Sequence, residues 1–313
     1  MDSRGSLIAL TGATGFIGSW IARHLVEAGW RVRVLVRPGS ERRLPDLPLQ
    51  IHRATLEEPA ALTEFVAGAS AVVHCAGRVR GISAADFEPV NSEATARLVR
   101  LARRLGASRF VLISSLAARE PRLSPYAASK RKAERYLLTE GKDLEWIVLR
   151  PPAVYGPGDR EMRPLLEAMA RGVVPIVGHP QGRFSLLYVE DLAAAVAAAL
   201  STDVVREIFE IDDGKPGGYD WKEVLAIAAA FRGGRVVPLP VPEWLLRSVA
   251  RMALLGARFR HRAPMLTPAK VNELRHPDWV CDNNRIFQAL DWRPRVDFAR
   301  GLAMTLTTQP GHR

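Results

Sequence analysis

The sequence predicts an α/β protein, a doubly wound parallel sheet with a smaller C-terminal domain, and three observations carry that prediction. Short apolar runs rich in Val, Ile and Leu alternate with longer amphipathic segments as far as residue 150, the pattern of parallel strands joined by crossover helices. The first run leads directly into "TGATGFIG", residues 11–18, a glycine turn at the mouth of a helix. After Arg150 the texture changes to a Pro/Gly loop, "RPPAVYGPGDR", and then to a mixed remainder richer in proline, the signature of a second domain.

Six strands are read in order as "SLIAL", "RVRVLV", "LQIHR", "SAVVHC", "RFVLIS" and "EWIVLR". Between them, "FIGSWIARHLVEAG" and "NSEATARLVRLARRLG" have apolar residues at helical spacing and stop at Gly29 and Gly106, where left-handed C-caps are expected. "REIFEI" reads as a strand that returns to the sheet. Asp220, with Glu223 three residues on, opens "WKEVLAIAAAF" as a capping box. The nucleotide-binding domain is expected over residues 5–160, with a strand and helix at about 185–212 returning to it; residues 161–184 and 213–308 form the substrate-binding domain.

At 313 residues and 48% hydrophobic, the chain can fill a substantial core. No apolar run approaches the roughly 18 residues of a membrane span, and the short polar lead into the first strand does not read as a signal peptide. Cys75 and Cys281 lie far apart without metal-ligand spacing, so neither a disulfide framework nor a metal site is expected, and Cys75 reads as core. These features suit the cytoplasm. The net charge of +11, carried mainly by arginine, favours anionic partners. Without a dense basic tract interleaved with aromatics, nucleic acid is not expected among them.

Gly12, Gly15 and Gly18 permit the tight turn, the approach of backbone to a pyrophosphate and close helix-to-strand packing, while the helix N-terminus offers unpaired N–H groups to phosphate. In this strand-to-helix context they predict a dinucleotide site of Rossmann type. About 20 residues on, where an acid would take the ribose hydroxyl of NAD, stands Arg37 in "VLVRPGS". A guanidinium suits a 2′-phosphate, so NADP(H) is favoured over NAD(H).

In "SPYAASKRKAE", residues 124–134, Tyr126 and Lys130 are four apart on a predicted helix and therefore side by side. A phenol with a pKa near ~10 is a poor acid–base group at neutral pH, and an ammonium beside it favours the phenolate. Taken alone such a pair is ordinary surface; with the glycine turn upstream it becomes a candidate catalytic pair.

The order TGxxGxxG, then "ISS" at the end of the fifth strand, then YxxxK resembles the extended short-chain dehydrogenase/reductase family, also called the NAD-dependent epimerase/dehydratase family. The likeness covers nearly the whole chain, including "RPPAVYGPGD", "LLYVEDLAAAV" and the closing "WVCDNNRIFQALDWRPRVDFARGL". It implies that Ser115 hydrogen-bonds the substrate oxygen, that Tyr126 passes the proton, and that Lys130 holds the nicotinamide ribose and lowers the tyrosine pKa. Chemistry agrees: hydride arriving at a carbonyl carbon creates an alkoxide, which needs a proton donor and a second hydrogen bond. Ser114 is the rival serine, but alternation along the strand turns it to the opposite face. The cofactor residues so implied are Gly12, Thr14, Gly15, Phe16, Ile17, Gly18, Arg37, Leu56, Ala76, Gly77, Tyr126, Lys130, Pro151 and Val154. Thr55 stands where many members carry an aspartate near the adenine, leaving that contact to backbone and Leu56.

Two positions depart from the members that act on nucleotide sugars. Ala153 replaces the asparagine that follows the sixth strand, and Phe184 replaces an arginine that meets the diphosphate, with neighbouring Arg183 a partial substitute. Losing polar handles disfavours a charged diphosphate. The "RPPAVYGPGD" form looks more like the branch of 3β-hydroxysteroid dehydrogenases and dihydroflavonol reductases, which act on bulky apolar ketones and alcohols.

"PEWLLRSVARMALLGARFRHRAP" sets Arg247, Arg251, Arg258 and Arg262 in a narrow arc if it is one helix, with Trp244, Leu245, Val249, Met252 and Leu255 around the rest. Two readings stay open: a pocket lid, with Gly256 breaking the helix, or a peripheral membrane contact through residues 243–262 at the inner face of a membrane. The expected function is an NADP(H)-dependent oxidoreductase acting on a small hydrophobic substrate, a sterol-like or long-chain β-keto lipid. A nucleotide-sugar epimerase or dehydratase is the alternative, and a non-catalytic nucleotide-binding protein the third. Whether the chain forms a homodimer is left open.

Overall fold

The computed structural model describes residues 5–260 and 263–307, with backbone alone at 258–260. Each apolar run of the N-terminal half forms a strand: β1 (Leu7–Thr11), β2 (Arg31–Val36), β3 (Gln50–Arg53), β4 (Ala71–His74), β5 (Arg109–Ile113) and β6 (Glu145–Arg150). Between them run α1 (Phe16–Glu27), α2 (Pro59–Val66), α3 (Ala84–Phe87), α4 (Ala94–Arg104) and α5 (Pro125–Glu140). Downstream come β7 (Ala153–Tyr155), α6 (Arg163–Ala170), β8 (Val173–Ile176), β9 (Arg183–Phe184), β10 (Leu186–Tyr188), α7 (Val189–Ser201) and β11 (Glu207–Glu210). The chain continues through α8 (Trp221–Arg232), β12 (Val237–Pro240), α9 (Glu243–Arg260), α10 (Pro268–Arg275), β13 (Asp278–Trp279), α11 (Asn284–Ala289) and α12 (Phe298–Thr307).

Seven strands form one sheet in the order β11-β6-β5-β4-β1-β2-β3, every pair parallel. Alternation along the strands divides the core into two layers. Ile8, Leu10, Val34, Val111 and Leu149 face one side, against Ile21 and Leu25 of α1 and Leu192 and Val196 of α7. Ala9, Leu35, Val72, Phe110 and Val148 face the other, against Phe65 of α2, Leu98 of α4 and Leu137 of α5. Burial on both faces is why these strands read as near-continuous apolar runs. The strand order reverses between β1 and β4, and at such a switch point the carboxyl ends of the strands leave a crevice.

Beyond the sheet, Tyr155, Leu166, Tyr188, Trp221 and Phe298 centre a third cluster joining α6, α8 and α12. Asp191, buried in the first turn of α7, accepts the Arg295 and Val296 N–H groups at 3.0 Å and ties the C-terminal stretch to this cluster. Three smaller parallel pairs, β10 with β7, β12 with β8 and β13 with β9, surround it.

Gly29 and Gly106 lie at φ +90° and +77°, the left-handed conformation expected of helix-ending glycines. The Asp220–Glu223 capping box is formed in both directions. Two local expectations change. The helix expected from Asn91 begins as a wide turn over Glu88–Glu93 and becomes α-helical at Ala94. Gly256 does not break the helix: α9 runs through it, with nothing within 4 Å of where its Cβ would stand. Arg262 lies outside the described residues.

Candidate active site

The residues singled out for a dinucleotide gather at the carboxyl ends of the strands. Thr14, Gly15, Phe16 and Ile17 form the turn from β1 into α1, Arg37 follows β2, Leu56 lies beyond β3, Ala76 and Gly77 follow β4, and Pro151 and Val154 follow β6. The turn is built around glycine. Gly12 sits at φ +86°, and a Cβ there would meet the Ala76 nitrogen at 2.7 Å; a Cβ on Gly18 would meet the Gly12 carbonyl oxygen at 2.1 Å. Backbone thus fills the space that side chains would need. The N-terminus of α1 carries no side-chain cap and no acid in its first turn, so its N–H groups stay available to phosphate. These features suit a dinucleotide. Arg37 is exposed at the strand end.

A buried polar link holds the opposite wall of the crevice. Thr11 Oγ1 is hydrogen-bonded to His74 Nδ1 at 2.7 Å and accepts the Ala76 N–H at 3.1 Å. Burial, with the nearby Lys130 charge, holds His74 down to about 3, so at neutral pH the imidazole in this link is uncharged.

The two serines after β5 part company. Ser114 is buried and donates to Glu134 Oε1 at 2.6 Å. Ser115 turns the other way, accepts the Ala117 N–H at 3.2 Å, and lies against the Tyr126 phenol, whose ionised form it favours. The Glu134 carboxylate also accepts Arg150 Nε at 2.8 Å and Nη2 at 2.6 Å. One buried group on α5 therefore fixes the ends of both β5 and β6.

Tyr126 and Lys130 share a face of α5. Ser124 caps the helix by accepting the Ala127 N–H at 2.9 Å, and Pro125 occupies its first turn. Lys130 Nζ donates to the Ile113 carbonyl at 2.9 Å and would be 3.3 Å from a Cβ on Gly77. Asn91, in the wide turn before α4, donates to Ser129 Oγ at 2.9 Å and accepts the Arg78 N–H at 2.7 Å, joining α5 to the loop after β4.

One implied property differs. Lys130 is expected to lower the Tyr126 pKa, yet burial pushes that phenol up to about 12; Ser115 opposes the rise and the Glu273 charge adds to it. The Lys130 ammonium is turned toward the Ile113 carbonyl, and burial lowers its own pKa. The phenol therefore keeps its proton across the neutral range.

Tyr126 floors a recess bordered by Val79, Ile82, Phe87 and Met265 and by two charged residues of α10. The recess is small and open to solvent, with about 20 Å³ of accessible space. Lys270 Nζ lies 5.8 Å from the Tyr126 ring centre and donates to Glu273 Oε2 at 2.6 Å; Ser124 donates to the other oxygen. Lys270 and Glu273 escaped sequence reasoning because nothing in "TPAKVNELR" marks them; contact with a helix more than 130 residues upstream is a property of the fold.

The two departures from the nucleotide-sugar pattern lie beyond β6. Ala153 is exposed on β7, and the Phe184 ring packs 5.1 Å from that of Trp221. Arg183 is not the substitute expected of it. Its guanidinium is held by the Gly217 and Gly218 carbonyls and by Asp220 and Glu223 at 3.3 and 3.2 Å, which commits it to the start of α8.

A glycine-lined dinucleotide crevice beside a Ser, Tyr and Lys set defines an NAD(P)-dependent oxidoreductase. The chain belongs to the NAD dependent epimerase/dehydratase family, whose model matches residues 8–212. It is 36% identical over 280 residues to a ceramide reductase of Caulobacter vibrioides, covering 89% of this chain and 87% of that protein. It is 30% identical to a 2-alkyl-3-oxoalkanoate reductase of Stenotrophomonas maltophilia over 60% of this chain and 63% of that one. Among solved structures it superposes on MoeE5 in complex with UDP-glucose and NAD with a TM-score of 0.73 at 24% identity, covering 96% and 97% of the two chains.

If burial governs Tyr126, the tyrosinate absorbance that Tyr126→Phe removes from the cofactor-free protein should appear only near pH 12. A tyrosinate step removed by that substitution between about pH 7 and 9 would show instead that Lys130 controls the phenol.

Proposed function

We propose that the protein is an NADP(H)-dependent reductase of a hydrophobic ketone carrying a polar group beside the carbonyl, a long-chain β-keto lipid being the best match. The observation that carries this reading is the recess at Tyr126, apolar at Val79, Ile82, Phe87 and Met265 and charged at Lys270 and Glu273. An apolar wall gains about 25 cal/mol for each Å² of apolar surface it covers. The Lys270–Glu273 pair offers a donor and an acceptor to an amide, hydroxyl or carboxylate next to the ketone. The names of the two reductase relatives, one for a ceramide and one for a 3-oxoalkanoate, support the same substrate class. Residues 161–184 and 213–307 form the substrate-binding part in this reading.

Bound in the glycine-lined crevice, the nicotinamide supplies the hydride. Tyr126 gives its proton to the carbonyl oxygen as charge develops there, and Ser115 donates the second hydrogen bond. Lys130 keeps donors beyond the one spent on Ile113, enough to orient a ribose hydroxyl. The nucleotide-sugar alternative is weakened by Ala153, by the packed Phe184 ring and by the engaged Arg183.

The cofactor preference rests on Arg37. NADPH should bind at least tenfold more tightly than NADH, about 1.4 kcal/mol, and Arg37→Asp should reverse the order; equal affinities in equilibrium titrations of the parent would overturn it.

The substrate reading is tested by offering the protein and NADPH a panel of long-chain β-keto amides and esters beside UDP- and GDP-sugars. Turnover should be confined to the keto lipids, rise in kcat/KM with chain length, and fall by roughly 10² to 10⁴ in Tyr126→Phe with nucleotide binding retained. Turnover of the sugar nucleotides alone would sink the reading.

A further inference from the structure

α9 presents to solvent a face that a water-soluble surface has no use for. Its inward side is short: Leu246 and Ala250 are buried against Val271 of α10. Most of the rest faces outward, with Trp244 69%, Met252 71%, Leu255 57%, Val249 47% and Leu245 39% exposed. At 100° per residue these five side chains occupy one continuous arc. Arg247 and Arg251 stand along the edge of that arc. Just upstream, Val237 and Leu239 of β12 are 62% and 51% exposed.

Scattered exposed apolar residues are ordinary, but five large ones on a single helix face are not. Charge decides what covers them. Arg251 has no ion pair among the described residues, Arg247 is paired with Glu243 of its own helix at 2.7 Å, and the whole chain carries +11. A second copy would bring that same excess of positive charge against itself. An apolar arc edged by arginine, ending in a tryptophan, is instead the surface of a helix lying in the headgroup region of an anionic bilayer. Among the described residues no helix is long and apolar enough to cross a membrane.

We propose that α9 seats the protein on anionic lipid, its apolar arc in the bilayer surface and Arg247 and Arg251 at the headgroups. The helix packs directly on α10, which carries Lys270 and Glu273 to the Tyr126 recess. A lipid surface under α9 therefore lies one helix away from the proposed substrate site. The surface stands on exposure and charge and holds whether or not the ketone reading does.

The test is co-sedimentation of the full chain with vesicles of phosphatidylglycerol and phosphatidylcholine, against vesicles of phosphatidylcholine alone. Binding should be at least tenfold greater on the anionic vesicles and should largely disappear at about 1 M salt, where the Debye length is near 3 Å. The double variant Arg247→Gln/Arg251→Gln should lose about tenfold or more, from roughly fivefold per arginine. Trp244→Ser/Met252→Ser should lose binding even at low salt. Trp244 and Met252 are largely exposed, so Trp244→Ser/Met252→Ser should keep the melting temperature. So should Arg251→Gln alone, which breaks no ion pair among the described residues and should lose about fivefold in binding. Arg247 also donates to Asn272 Oδ1 of α10 at 3.1 Å. Turnover of a short soluble ketone should be unchanged in each variant. Equal binding to both vesicle types, or none to either, overturns the proposal. So does a dimer in sedimentation equilibrium that Trp244→Ser/Met252→Ser dissolves, since the face would then belong to a second copy.

Discussion

The arrangement of the site depends on one buried carboxylate. Glu134, 1% exposed, takes a hydrogen bond from Ser114 and two from Arg150, and these three residues lie on α5, at the end of β5 and at the end of β6. Removing one member of such a buried pair costs about 3–5 kcal/mol, because the other charge is left without a partner in a poorly solvating interior. The consequence is geometric. Ser115 follows Ser114, Tyr126 and Lys130 lie on the helix that Glu134 anchors, and Pro151 follows Arg150. A carboxylate that touches no substrate thereby sets the distance between the candidate proton donor and the serine that shares its target oxygen.

The same economy recurs on the cofactor side. The Thr11, His74 and Ala76 link holds the loop after β4 against the glycine turn, and burial keeps its imidazole uncharged. Asn91 then joins that loop to α5 through Ser129. Hydrogen bonds therefore join the glycine turn, the loop after β4 and α5 along one side of the crevice. The recess over Tyr126 is bounded in part by α10, which arrives from far along the chain. The floor and this wall of the recess are thus supported by segments more than 100 residues apart in the chain.

The sheet was legible in the sequence because strands buried on both faces must be apolar throughout, and the six apolar runs of the first 150 residues became its first six strands. The glycine turn was legible because backbone occupies the sites of the missing side chains. Ser115 and Ser114 separated as strand alternation requires. Other features had no local signal. Glu134 and Arg150 read as ordinary charged residues, since a buried ion pair looks in sequence like two exposed ones. Arg183 read as a partial substitute for the arginine missing at Phe184, whereas the carbonyls and acids around it come from the turn into α8. A break at Gly256 belonged to the pocket-lid reading, but a single glycine costs only about 1 kcal/mol in a helix and α9 continues through it. The upward shift of Tyr126 was beyond reach, because burial by Phe87 and the α10 segment outweighs a neighbouring ammonium that points elsewhere.

Reductases and epimerases of this architecture share the crevice and differ in the fate of the hydride, which a reductase leaves on its product and an epimerase returns. Following the label is therefore the most direct test of the central claim. NADPH deuterated at the transferred position of the nicotinamide would be supplied with a long-chain β-keto amide, and the product read by mass spectrometry. The account predicts an alcohol with one deuterium on the carbinol carbon and one NADP⁺ formed for each molecule reduced. A product without deuterium, or turnover of a sugar nucleotide with no net oxidation of the cofactor, would contradict it.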